Sequence, residues 1–220
     1  MEDELTAASK NASTAPECSA VTAGIDVGGT RKGFHAVVLR GGAYLAKYHS
    51  FDPAAIAQWC REQSAVAIGV DAPCRWSETG RMRPCEAQLS KELISCFATP
   101  TRQRAEAVPF YAWMLNGAQL FAALEVTHPL LGDAHAPGSP VCFETFPQAV
   151  ACALAGKRVS AKEKGPVRRT LLAEAGVDIA PLKNIDTADA ALCALAAWRF
   201  VQGRYRKFGE AGSGYIVTPS

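Results

Sequence analysis

From Val21 to Val27 the chain is apolar apart from Thr22 and Asp26, and it runs straight into Gly28-Gly29. That pattern predicts a buried strand ending in a glycine turn. Two more apolar-rich runs, Gly33 to Arg40 and Ala43 to Ser50, flank Gly41-Gly42, where two residues that tolerate positive φ suit a tight hairpin turn. Asp52-Pro53 opens a helix through about Glu62, with Ile56, Trp59 and Cys60 spaced for one buried face. Ala65 to Val70 is the next buried strand. It is expected to stop at Asp71-Ala72-Pro73, since proline cannot continue a central ladder.

A hairpin, a crossover helix and a return strand predict a mixed sheet rather than a purely parallel one. Cys74 to Pro137 has no strand pattern. It predicts one helix opening at Pro84, with Leu89, Leu93 and Phe97 four apart, and another from Phe110 to Glu125 with Trp113, Met114, Leu120, Phe121 and Leu124 on one side. The segment reads as a helical insertion over one edge of the sheet. Strand character resumes at Val141 to Phe146. Helices follow at Gln148 to Ala155, Pro166 to Ala175 and Thr187 to Val201, and Gly214 to Val217 has the makings of a short last strand.

Composition narrows this to a soluble α/β domain from residue 21 to residue 220, because 49% of the 220 residues are hydrophobic and 20% charged. No apolar run reaches the roughly 20 residues of a bilayer span. Residues 1–20 start acidic and continue in Ser, Thr and Ala, which predicts a disordered tail and no secretion signal. The 8 cysteines stand too far apart for a zinc knuckle. They are expected to be reduced thiols, mostly buried, in a cytoplasmic protein. A net charge of +2 excludes a global commitment to nucleic acid, but the basic residues are clustered. Lys157, Arg158, Lys162, Lys164, Arg168 and Arg169 face only Glu163 within one short segment. It is expected either to contact phosphates or to be a solvated helix face.

Acidic residues recur at corresponding places: Asp26 and Asp71 at strand ends, Glu144 late in the strand after the insertion, and Asp186 and Asp189 at the start of the last long helix. Strand ends in an α/β sheet converge on one crevice. Carboxylates crowded there repel one another, so a cation is their natural companion, and Mg²⁺ or Mn²⁺ suits oxygen ligands. Each residue also has a plain structural role open to it. Asp26 and Asp71 could be turn formers, Asp186 an N-cap, and Glu144 a solvated side chain. Asp189 shares a helix face with Leu192, Cys193, Ala196 and Phe200, and an acid on the face that packs against the sheet needs a partner or a metal.

Taken together, Gly24-Ile25-Asp26, Ile68-Gly69-Val70-Asp71-Ala72-Pro73, Glu144-Thr145-Phe146-Pro147, Asp186-Thr187-Ala188-Asp189-Ala190-Ala191 and Gly214-Tyr215-Ile216-Val217-Thr218-Pro219 resemble the domain of unknown function 429 family of predicted RNase H-like nucleases. Arg83, Cys85 and Glu86 are similar to an Arg-x-Cys-acid signature of that family, whose role is unassigned. The resemblance implies an RNase H-like mixed sheet flanked by helices. It also implies a nuclease in which a first-strand acid, a fourth-strand acid and acids of the last helix hold two metal ions. Carried over residue by residue, Asp26, Asp71, Asp186 and Asp189 become ligands of Mg²⁺ or Mn²⁺ and Glu144 a further catalytic acid; independently, the local charge density makes Lys157, Arg158, Arg168 and Arg169 the expected contacts to a nucleic-acid substrate. The chain departs from RNase H in having only Glu62 in its first helix, and in its long insertion.

Two other functions compete. Asp26-Val27-Gly28-Gly29-Thr30 is also similar to the first phosphate loop of actin-like sugar kinases, although those enzymes close two lobes on ATP and this chain supplies one. A nuclease-like fold with inert acids would merely bind nucleic acid. Nucleophile chemistry by Ser or Cys has little support, because there is no Gly-x-Ser-x-Gly elbow and none of His35, His49, His128 and His135 pairs recognisably with a Cys.

Overall fold

The structure, a computed structural model, describes residues 19–220. The tail expected over residues 1–20 lies, apart from its last two positions, outside the described residues. Seven strands form one mixed sheet in the order β3-β2-β1-β4-β5-β7-β6. These are β1 (Val21–Val27), β2 (Phe34–Arg40), β3 (Ala43–Ser50), β4 (Ala65–Asp71), β5 (Val141–Thr145), β6 (Tyr205–Glu210) and β7 (Gly214–Pro219). β1, β4, β5 and β7 run parallel, while β2, β3 and β6 are antiparallel to their neighbours. The mixed sheet expected from the hydrophobic pattern is therefore present.

Helix α7 (Ile185–Val201) lies across one face of the sheet, and its sequence explains how closely. Its buried surface is largely alanine, and it meets Gly24 of β1 and Gly69 of β4. A Cβ on Gly24 would fall 2.0 Å from the Ala194 amide nitrogen, and one on Gly69 2.6 Å from the Cys193 carbonyl oxygen. The helix backbone thus rests directly on the two central strands. Asp26 and Asp71 follow those glycines by two residues, so strand alternation points both toward α7.

The opposite face is covered by α1 (Pro53–Glu62) and α4 (Ala112–Leu124), which enclose Ile25, Val27, Phe34, Val38, Ile68 and Val70. On α4, Gly117 allows a close approach, since a Cβ there would lie 2.4 Å from that of Ala72. The insertion does more than cover an edge. While α4 packs on the centre of the sheet, Cys85 and Leu89 of α2 (Pro84–Lys91) pack against Phe208 and Ile216 of the far strands. A short helix, α3 (Arg102–Ala107), and a 3₁₀ turn at Pro109–Tyr111 join the two. Beyond β5, α5 (Pro147–Ala155) and α6 (Lys164–Glu174) lead to α7.

One expectation is corrected. The helix from Pro84 does not continue to Phe97. It ends at Lys91, where Leu93 adopts φ +62° and the Ile94 amide donates back to the Leu89 carbonyl at 3.1 Å. That is a left-handed helix terminus of the kind glycine usually makes, so leucine gives no warning of it. Leu93 and Phe97 are left 67% and 65% exposed. β6 went unforeseen because only Phe208 of its residues is buried, as befits an edge strand. The seven described cysteines are free and all but Cys96 are buried, as expected. Among the described residues no helix is long and apolar enough to cross a membrane.

Candidate metal centre

Asp26 and Asp71 are paired across β1 and β4, and Asp189 reaches them from the second turn of α7. One oxygen from each carboxylate lies within 4.8 Å of the others. Asp26 is 9% exposed and Asp189 8%. Among the described residues no donor hydrogen-bonds to the carboxylate of Asp26 or Asp71, and neither carboxylate is in an ion pair. Crowded and removed from bulk water, these acids resist ionisation. Burial, followed by the charges of Asp189 and Asp186, pushes the Asp26 carboxyl up to about 7. Burial pushes Asp189 up to about 6 against the pull of Arg168. Asp71 is raised too, by burial and then by Asp26 and Asp189. The group offers several hard oxygen donors with too few protein cations to balance them, which fits Mg²⁺ or Mn²⁺.

The cations acting on it are Arg168, Lys32 and Lys164. Arg168 of α6 is 4% exposed and donates through Nη1 to Asp189 Oδ1, while its buried Nε has no partner among the described residues. Lys32 sits in the turn between β1 and β2, and its Nζ donates to Asp186 Oδ1 at 2.8 Å. Asp186 is therefore beside the trio without joining it. Nor is Asp186 the N-cap of the last helix: Asn184 is, its side-chain oxygen accepting from the Thr187 amide at 2.8 Å. His35 is the cross-strand neighbour of Asp26, and its Nε2 is 3.9 Å from Asp186 Oδ2. Sequence reading missed Lys32 and His35 as neighbours of the acids. The signal was the Gly28 to Gly33 turn, which folds β2 back so that Asp26 and His35 face each other.

Glu144 is not brought into the cluster. It is the register neighbour of Val70 rather than of Asp71, so the pleat turns it to the opposite face of the sheet. There Arg83 grips it twice, Nη2 donating to Oε1 at 2.7 Å and Nη1 to Oε2 at 2.9 Å. The Cys74 amide adds a third bond at 2.9 Å. Glu86 accepts from Arg83 Nε at 2.9 Å and from the Thr99 amide at 3.1 Å. This network ties α2 and the residues around Thr99 to β5, which gives the Arg83, Cys85, Glu86 signature a structural role.

The basic segment is split as well. Arg168 turns inward to Asp189, whereas Arg169 is half-buried on the same helix. Lys157 and Arg158 follow the far end of the nine-residue α5, about 13 Å along its axis from the strand ends. They border a cleft of about 310 Å³ with Arg206 and Phe208. Arg168 thus stands at the acids, while Lys157 and Arg158 stand apart from them.

Neither a curated protein nor a solved structure matches the chain. A family model described as a protein of unknown function, DUF429, matches residues 24–211, a span that takes in all three clustered acids, the Arg83 and Glu86 pair with Glu144, and strands β2 to β6 whole. The chain belongs to the DUF429 family.

Proposed function

We propose that this protein is a metal-dependent nuclease that hydrolyses phosphodiester bonds at Asp26, Asp71 and Asp189. The observation carrying the reading is the gathering of these three side chains, with raised pKa values and no hydrogen-bond donors on Asp26 or Asp71. Their placement on the first strand, the fourth strand and the last helix agrees with the RNase H-like arrangement. When bound, Mg²⁺ or Mn²⁺ supplies a water of lowered pKa and charge stabilisation of the leaving oxygen. Asp26, Asp71 and Asp189 would hold the metal together, and Arg168 balances Asp189 and keeps its oxygens aimed at the site. Asp186 and Lys32 lie one step out, where Lys32 offers a cation to an incoming phosphate. The seven cysteines among the described residues, all unpaired, fit a reducing compartment, the cytoplasm.

The phosphate-loop alternative draws less support. The Gly28 amide donates to the Gly33 carbonyl at 2.8 Å, and the Lys32 and Gly33 amides both donate to Gly29, so three of the turn's donors are already used. The test is cleavage of single-stranded, duplex, hybrid and branched nucleic acids in Mn²⁺. At least one should be cut, in a reaction abolished by a chelator and by Asp26→Asn. Cleavage of none rejects the reading.

A further inference from the structure

An aromatic wall stands beside the acids, and the way α4 is anchored explains its position. Asn116 of α4 donates through Nδ2 to the Gly28 carbonyl at 2.9 Å, just beyond β1. Gly117 sits on Ala72, just beyond β4. The start of α4 is thereby fixed at the same end of the sheet as Asp26 and Asp71. Trp113, one turn before Gly117, lines two clefts. One, of about 50 Å³, is a narrow notch holding Asp71, Glu86 and Glu144 beside Phe97 and Phe146. The other, of about 240 Å³, has Thr30, Arg31 and Lys32 on one side and Phe110 and Trp113 on the other. Phe110 is 56% exposed, and its ring meets that of Phe97 edge-on with centroids 5.6 Å apart.

Exposed aromatics that are part of no core need a reason in a soluble chain. Here Phe110 and Trp113 face Arg31 and Lys32 across one cleft, Phe97 meets Phe110 at its side, and Lys32 reaches Asp186 beside the three acids. Such a cleft suits a ligand with flat apolar faces on an anionic backbone. A duplex hides its base faces in the stack, while a single strand offers them for stacking on aromatic side chains.

We propose that this wall binds unpaired bases, and that the substrate is a single strand, or a strand with splayed bases, whose phosphate lies between Lys32 and the three acids. The inference rests on the nuclease reading for its phosphate position. Binding tests it separately from cleavage.

The experiment is fluorescence anisotropy on the full chain in chelator, so that nothing is cut. The probes are labelled strands of about 12 nucleotides in DNA and RNA, their blunt duplexes, and a strand of equal length with abasic sites. Single strands of at least one sugar type should bind 10-fold or more tighter than duplex, and the abasic strand should bind weakly. Phe110→Ala and Phe97→Ala replace exposed rings and should leave thermal unfolding unchanged. Each should weaken single-strand binding by roughly 5-fold or more, and neither should further weaken the abasic strand. Equal binding of duplex and single strand, equal binding of abasic and normal strands, or no effect of either variant would overturn the proposal. So would binding of no nucleic acid at all. Cleavage of a duplex alongside any of these results would leave the nuclease reading standing without the aromatic wall.

Discussion

Two groups of buried carboxylates lie on opposite faces of the same sheet, each beside one buried arginine, and they are built to opposite rules. At Glu86 and Glu144, all three guanidinium nitrogens of Arg83 donate, and backbone amides of Cys74, Arg83 and Thr99 complete the set. At Asp26, Asp71 and Asp189 there are three acids, a single ion pair from Arg168, an orphaned Nε and no backbone donor to Asp26 or Asp71. Burial penalises charge in both places, but only the first group is compensated by the protein. The first is a joint between the insertion and β5. The second is left uncompensated by the described residues.

The largest expected effect comes from breaking the compensated group. Arg83→Met strands two buried acids and should destabilise the chain by about 3–5 kcal/mol in urea denaturation, with Mg²⁺ giving no rescue. Recovery of stability in Mg²⁺ would show that this group also takes a metal.

The opposite sign is expected at the other group. Asp26→Asn keeps the volume and removes a repelling charge, so the metal-free variant should be more stable than its parent at pH 8 by roughly 1–3 kcal/mol. A loss of stability would mean that Asp26 is compensated after all.

A pH titration sharpens the same contrast without mutation. Asp26 has a pKa near 3.8 when unfolded and about 7 when folded, so between these values the folded state holds the extra proton. Stability of the metal-free parent should therefore fall as pH rises from about 4 to about 7, and then level off. Asp26→Asn should lack much of this slope. With saturating Mn²⁺ the slope should shrink or reverse, because the ion binds only the ionised acids. A metal-free parent whose stability rises through this range would contradict the assigned shifts.

The smallest effect is expected away from both groups. Lys157→Ala with Arg158→Ala removes two cations at the far end of α5 and should change cleavage by less than about 3-fold. A much larger loss would return these residues to the substrate path.

What the chain's sequence made legible follows from how far each signal reaches. Asp26, Asp71 and Asp189 were identifiable because each stands at a break in a strong apolar pattern, and burial of a lone acid demands an explanation. Glu144 shared that look, and only the register of β5 against β4 assigns it to the other face. Arg168 read as one of a run of basic residues expected to contact phosphates, since its partner Asp189 is distant in sequence and on the next helix. The end of α2 was hidden because Leu93 adopts a conformation that its residue type does not advertise. β6 has one buried side chain and so no alternation to read. Local patterns thus disclosed the elements and the acids, while pairings between distant residues decided which acids work together.

The central claim is that the three aspartates are a cation site. Calorimetric titration of Mn²⁺ into the metal-free full chain at pH 8, beside the same titration of Asp26→Asn, tests it most directly. Saturable binding by the parent that Asp26→Asn abolishes or weakens at least 10-fold is the predicted result. A parent that binds no Mn²⁺, or a variant that binds it as well as the parent, would contradict it.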